Sequence, residues 1–207
     1  MPAPATTFLQ FAREPVPGRV KTRMLEALSA QRACDLHCEL VLWTCRQLLL
    51  AGAGEVELCV AGDGGHALFA QCRDLGAARV TRQRGADLGQ RMAHALAAAL
   101  QRSERVILVG SDCPAISPAY LHRAVRALDD GEVVIGPATD GGFVLLGARS
   151  LPGGIFEGVQ WGTAQVYAAT VANLRRSATA FVALPPLPDI DRPEDLVHWE
   201  TLRELPG

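Results

Sequence analysis

The sequence predicts an α/β protein, a three-layer α/β/α fold built on one mostly parallel sheet. Three observations predict it. Apolar strand-like runs alternate with longer amphipathic segments along the whole chain. Residues 105–109 (RVILV) form a continuous apolar run after the leading arginine, as a strand covered on both faces requires. Breakers rich in glycine, proline and aspartate recur where strands end, which is the side at which open α/β sheets bind ligands.

A first strand over 6–12 stops at the loop REPVPGRVKTR, where two prolines and a glycine interrupt four basic residues, so the loop, Lys21 included, is expected to be irregular and exposed. An amphipathic helix over about 29–51 follows, then a strand over 55–61 closed by the breaker at 62–65 and a helix to about 75. A weaker strand covers 78–82. Asp87 and Gln90 have the spacing of a capping box for the alanine-rich helix that ends near 101. After the central strand, Ser117 and Pro118 are the cap and first turn of a helix to about 129. Strands over 133–136 and 143–146 flank ATDGG, a helix runs from about 163 to 176, a strand spans 180–184, and a last helix starts near 193. No internal repeat or linker divides the chain. The 207 residues read as a single domain.

Composition narrows the function. With 49% hydrophobic residues, 20% charged residues and a net charge of −2, the chain is neither disordered nor basic enough for a nucleic-acid binder. No apolar run approaches the roughly 20 residues of a membrane span, and MPAPATTFLQFA lacks the basic start and apolar core of a secretory signal, so a cytoplasmic location is expected. Six cysteines contain no C-x-x-C pair. Cys34, Cys38 and Cys45 share one helical face within about 40° and are expected as small apolar core residues. The chain has one lysine, Lys21, against nineteen arginines, and with thirty-two alanines this bias is that of a GC-rich bacterial genome. A single lysine inside a Gly/Pro-rich loop suggests a site that wants a compact ammonium.

Three loops carry candidate chemistry. Arg13, Gly18, Lys21 and Arg23 form a basic loop after the first strand, a polyphosphate grip that is neither a P-loop nor a dinucleotide turn. Asp112 in Gly110-Ser111-Asp112-Cys113-Pro114 ends the most buried strand, where one carboxylate can present to a divalent cation. Asp189 and Asp191 lie on an extended segment before Pro193, and Asp191 reads equally well as a helix cap. Asp140-Gly141-Gly142 also reads as a hairpin turn.

Together FAREPVPGRVKTR, GADLGQRM, GSDCPAI, GPATDGGFVLLG, VQWGT and DIDRPEDL resemble the bacterial family radical-SAM/selenodomain-associated transferase 1 over nearly the whole chain. That family is similar to 2-phospholactate guanylyltransferase within the nucleotide-diphospho-sugar transferases. The resemblance implies a GT-A-like fold with a nucleotide-binding half to about 115 and an acceptor-binding half beyond it, with Arg13, Gly18, Lys21, Arg23 and Asp87 at the nucleotide and Asp112 and Asp191 holding Mg²⁺ or Mn²⁺. The sequence departs at Arg192, where related chains usually carry threonine; a cation there would compete with a metal. Asp140, Gly141, Gly142 and Trp161 are left for a small-molecule acceptor, with Trp161 as an apolar wall or simply core. Lys21, Arg13 and Asp140 are the expected catalytic residues. A nucleotidyltransferase releasing pyrophosphate is favoured over a glycosyltransferase, because Ser111-Asp112-Cys113 offers one aspartate where D-x-D is usual. A non-catalytic nucleotide-binding module is the third class.

Overall fold

The structure, a computed structural model that describes residues 5–204, follows the expected alternation. β1 (Thr6–Arg13) leads through the basic loop and one 3-10 turn (Thr22–Glu26) into α1 (Ala30–Ala51), β2 (Glu55–Ala61), α2 (Ala67–Leu75), β3 (Arg79–Arg82), α3 (Leu88–Leu100), β4 (Arg105–Gly110) and α4 (Pro118–Asp130). β5 (Val133–Pro137), β6 (Phe143–Ala148), α5 (Val166–Arg176), β7 (Phe181–Ala183), a second 3-10 turn (Pro193–Asp195) and α6 (Leu196–Glu204) complete it. The caps sit where the residue types place them. The Ser29, Asp87 and Ser117 side chains accept the backbone N–H groups of Arg32, Gln90 and Tyr120.

The seven strands form one sheet in the order β3-β2-β1-β4-β6-β5-β7. All neighbours are parallel except β6, which is antiparallel to both β4 and β5. The reversal follows from chain length. The connection at 138–142 is too short for a crossover, which takes a dozen or more residues, so β5 and β6 can only form a hairpin.

Both faces of the sheet are covered. On one side Phe8, Leu58 and Ile107 pack with Val41, Leu48 and Leu121 from α1 and α4. On the other, Leu9, Val106 and Leu146 pack with Leu96 of α3 and Leu174 of α5. Successive apolar residues of β4 feed opposite clusters, as do Phe8 and Leu9 of β1, which is why both strands are apolar on both faces, β1 being interrupted only by Gln10. Each fully buried Leu, Ile or Val contributes about 1.5–3 kcal/mol, so the central strands are the rigid floor on which the strand-end loops sit. A third cluster of Met24, Leu36, Leu40, Ile190 and Trp199 ties the basic loop and the C-terminal segment to α1, with Trp43 and Trp199 edge to face at 5.4 Å.

Two boundaries differ from expectation. α5 starts at Val166 because the Thr163 hydroxyl donates back to Gln160 O at 2.8 Å, which holds residues 160–165 in turns. Pro193 opens a 3-10 turn before α6, stapled by Asp195, whose carboxylate accepts from the backbone N–H of Asp191 and Arg192. All six cysteines are free thiols, and five are buried. Among the described residues, no helix is long and apolar enough to cross a membrane.

Candidate active site

The basic loop contains the largest correction to the sequence reading. Lys21 was expected to be exposed, yet its side chain is 3% exposed. Its backbone adopts the left-handed conformation (φ 50°) at the start of the 3-10 turn, which turns the side chain inward beneath the loop. There the ammonium donates to the carbonyl of Ile190 and lies 2.5 Å from Asp112 Oδ1. Two further contacts close the same junction. Ile190 N–H donates to Asp112 O at 2.7 Å, and the Cys113 thiol donates to Pro188 O at 3.2 Å. Three loops far apart in sequence are thereby latched at the carboxyl ends of β1 and β4.

A buried polar layer supports this junction from below. Gln10, in the middle of apolar β1, donates to Val41 O at 2.9 Å and to Ser111 Oγ at 3.0 Å, and Ser111 Oγ donates to Phe11 O at 2.8 Å. This fixes the ends of β1 and β4, and so the backbone that carries Asp112. His37 of α1 meets Arg13 O at 2.9 Å through Nε2. Burial pushes its imidazole pKa down, against the opposing pull of the Arg13 carbonyl and Asp112. Sequence reasoning missed both residues. The only signal was one amide in an apolar strand and one histidine on a buried helix face.

Asp112 sits in a recess, ringed by protein while its side chain is 52% exposed through the open mouth. Desolvation pushes its carboxyl up, but the Lys21 ammonium, with His37 and Arg13, outweighs this and holds the pKa below the usual carboxylate value. Asp191 is paired with Arg23. The expected competition from a cation at Asp191 is therefore present, and Arg23 supplies it.

The cleft has two adjoining halves that share Arg23, Asp140, Gly162 and Thr163. The polar half, about 300 Å³, adds Asp189, Asp191 and Asp195. The apolar half, about 220 Å³, is walled by Phe11, Met92, Leu108, Phe143 and Trp161. Trp161 meets Phe143 and Phe156 edge to face, at 6.3 and 5.8 Å, so it forms a wall of the cavity as well as packing against its neighbours. Asp140 and Gly142 line the cleft, and the hairpin tip lies at the site. Gly141 has a different role from the one expected. It adopts φ 94°, and a Cβ there would stand 2.2 Å from Ala164 O, so its lack of a side chain admits the neighbouring loop.

Asp189, absent from the expected ligand set, belongs to the same centre. Burial and repulsion from Asp140, Asp112 and Asp191 push its carboxyl up to about 6. Asp87 is committed elsewhere. Its carboxylate accepts from Gln90 N at 2.8 Å and from Gln90 Nε2 at 3.2 Å, and it faces a separate groove beside residues 151–158. Arg13 and Gly18 are exposed at the loop surface, Gly18 with open space around it. Among the described residues, no three His, Cys, Asp or Glu side chains converge as a metal cage.

Residues 44–163, more than half of the chain, match the model of the family described as "Uncharacterized protein conserved in bacteria" (DUF2064). The chain belongs to DUF2064. No curated protein matches the sequence significantly. Among solved structures, the DUF2064 chain is similar to a Desulfovibrio desulfuricans G20 protein provisionally named a nucleotide-diphospho-sugar transferase. The two share 32% identity and a TM-score of 0.86, over 97% of this chain and 88% of that one. Two lower-identity matches share the fold. A Methanothermobacter nucleotidyl transferase has 16% identity and a TM-score of 0.64, over 96% and 98% of the two chains. The 4-diphosphocytidyl-2C-methyl-D-erythritol synthase of Anaerococcus prevotii has 10% identity and a TM-score of 0.65, over 97% and 98%. The DUF2064 chain therefore has the α/β fold of nucleotide-diphospho-sugar transferases, as the sequence predicted.

Proposed function

We propose that this chain is a nucleotide-using transferase, and specifically a nucleotidyltransferase that acts on a small phosphorylated acceptor and releases pyrophosphate. The observation that supports the reading is the junction of Lys21, Asp112 and Ile190, which joins a basic loop to an acidic strand end, with Arg23 of the same loop lining the cleft. The named relatives support the class, since the 32% identical one is called a nucleotide-diphospho-sugar transferase. The motif set places the chain, on our reading, with the radical-SAM/selenodomain-associated transferases of the cytoplasm.

Transfer of a nucleotidyl group requires mainly positioning and neutralisation of phosphate charge. Arg13 and Arg23 are the exposed cations for the phosphates. Lys21 spends two of its three N–H bonds on Ile190 O and Asp112, which leaves one for an anion. Asp140, at the seam of the two half-cavities, accepts the acceptor's proton or orients its nucleophilic oxygen. Mg²⁺ or Mn²⁺ fits the donor set. Asp112 lies near enough to Asp189 to help raise its carboxyl pKa, and such an ion needs only one or two carboxylates when water and phosphate fill its remaining positions. Its contribution when bound is neutralisation of phosphate oxygens.

A panel of nucleoside triphosphates and nucleotide sugars, with and without Mg²⁺, tests this by thermal shift and pyrophosphate release. A metal-dependent rise in Tm with a triphosphate, and pyrophosphate on adding a phosphorylated acceptor, are expected. Hydrolysis of a nucleotide sugar without pyrophosphate release from any triphosphate would assign glycosyl transfer instead. A shift without product would leave a binding module, and no shift at all would end the catalytic reading.

A further inference from the structure

The apolar half of the cleft has a chemistry of its own. Its walls are Phe11, Met92, Leu108, Phe143, Trp161 and Val166, while polar side chains reach it only at the rim, through Arg23, Asp140 and Thr163. Two details point to what occupies it. Gly110, the last residue of β4, lies outside the left-handed region, and a Cβ added to it would meet nothing within 4 Å. Neither strain nor crowding demands glycine there, but a side chain would project into the cavity. Leu88, the first residue of α3, lines the same cavity while 41% exposed, an apolar side chain held at the mouth. An apolar hollow of about 150 Å³ holds a benzene molecule. The 220 Å³ available here suits one ring or a branched chain of about five to eight carbons.

We propose that the acceptor is a phosphate ester of a short apolar alcohol, its hydrocarbon body in front of Gly110 and its phosphate toward the rim where the two halves of the cleft meet. The proposal rests on reading the chain as a nucleotide-using transferase and adds the chemical class of its second substrate. A polyhydroxylated ester placed in the same cavity would press its hydroxyls against Phe11, Met92 and Leu108, which offer no hydrogen bond. A hydrocarbon body carries no such penalty.

Isothermal titration of the full chain with phenyl phosphate and with glycerol 3-phosphate separates body from headgroup, since the two esters share the phosphate. Phenyl phosphate is expected to bind saturably and at least tenfold more tightly. Gly110→Val should weaken phenyl phosphate at least tenfold and leave the Tm and the nucleotide-induced shift unchanged. Leu88→Ser, at an exposed position, should weaken it about threefold. Equal affinity for the two esters, no binding of phenyl phosphate, or unchanged binding by Gly110→Val would each overturn the proposal. The nucleotide thermal shift of the unsubstituted chain is read separately. Its absence would sink the transferase reading, while the preference between the esters still decides the chemistry of the cavity.

Discussion

Replacing Lys21 should damage both the fold and the site, in a graded way that separates its charge from its stem. Lys21→Met keeps most of the buried stem and removes the ammonium, so the Ile190 carbonyl loses a charged donor, worth about 1.5–3 kcal/mol. The ion pair adds little to this, because Asp112 is half exposed and water can solvate it again, which limits that contribution to roughly 0–1 kcal/mol. Relief of the buried ammonium's desolvation offsets part of the loss. A net cost of about 1.5–3 kcal/mol follows, or a fall in Tm of about 4–10 °C for a chain of this length. Lys21→Ala also removes buried methylenes at about 0.8 kcal/mol each, so it should melt lower still, by a further 2 kcal/mol or so. Lys21→Arg should fail as well, since the recess is closed around a compact ammonium.

Differential scanning calorimetry gives the order, and the nucleotide-induced rise in Tm on the same proteins reports binding. Lys21→Met melting within a degree of the unsubstituted chain, or Lys21→Ala no lower than Lys21→Met, would refute the argument that the ammonium and its stem staple the three loops. A destabilised Lys21→Met that still shows the full nucleotide shift would leave Lys21 as a staple and remove it from the phosphate site.

The other perturbations are simpler. Asp140→Asn should depress the transfer step by about 10²-fold or more while nucleotide affinity stays nearly intact, as single-turnover kinetics beside titration would show; equal losses in both would move Asp140 to the nucleotide site. Asp189→Asn removes a buried carboxylate repelled by its acidic neighbours, so the metal-free Tm should rise by about 2–4 °C, worth roughly 1 kcal/mol, while the Mg²⁺-dependent part of the nucleotide shift shrinks. Asp191→Asn frees Arg23 from an exposed pair, so metal-free nucleotide affinity should rise severalfold with the Mg²⁺ gain unchanged; loss of that gain would make Asp191 a metal ligand after all. Iodoacetamide at pH 8 should label the native thiols slowly and all six rapidly in denaturant, because burial pushes Cys59 and Cys113 up to about 12 and half-buried Cys38 to about 11; one fast-reacting native thiol would contradict this.

The fold was legible because its signals are local. Runs such as RVILV and caps such as Ser117-Pro118 report their own conformation, and the alternation they create determines the layers. The reversed β6 was legible only as a possible turn, since sequence alone does not say which strand lies beside β4. The site was legible as chemistry and not as geometry. Basic and acidic loops stood out by composition, but the pairing of Lys21 with Asp112, and of Arg23 with Asp191, depends on contacts across 91 and 168 residues. Lys21 looked exposed because its loop is polar, and only the cluster of Met24, Ile190 and Trp199 reveals that the loop is packed down onto α1. Asp189 drew less attention than Asp191 because both sit in one acidic run, and the difference between them is which one a guanidinium has already neutralised.

That difference shapes how a polyanion can enter. Two of the three cations that the sequence singled out for phosphate, Lys21 and Arg23, are already matched to a carboxylate, and Arg13 alone of the three has none among the described residues. The two pairs are not equivalent. Lys21 is enclosed and holds a backbone carbonyl as well as Asp112, and it can add a phosphate oxygen only by using its remaining N–H, without leaving its place. Arg23 is half exposed and tied through a side chain alone, an arrangement worth roughly 0–1 kcal/mol, so it can exchange Asp191 for phosphate at little cost. Release of Arg23 would leave Asp191 unneutralised beside Asp189, whose carboxyl burial and the neighbouring carboxylates already push up to about 6. On the proposed function, phosphate binding at Arg23 would therefore sharpen the demand for a divalent cation at Asp112 and Asp189, and a bound cation would make the exchange at Arg23 easier in return. By linkage the coupling must run equally in both directions. It would give a nucleotide-using transferase a physical reason to take nucleotide and metal together in this cleft, with Lys21 as the fixed point around which the exchange would occur.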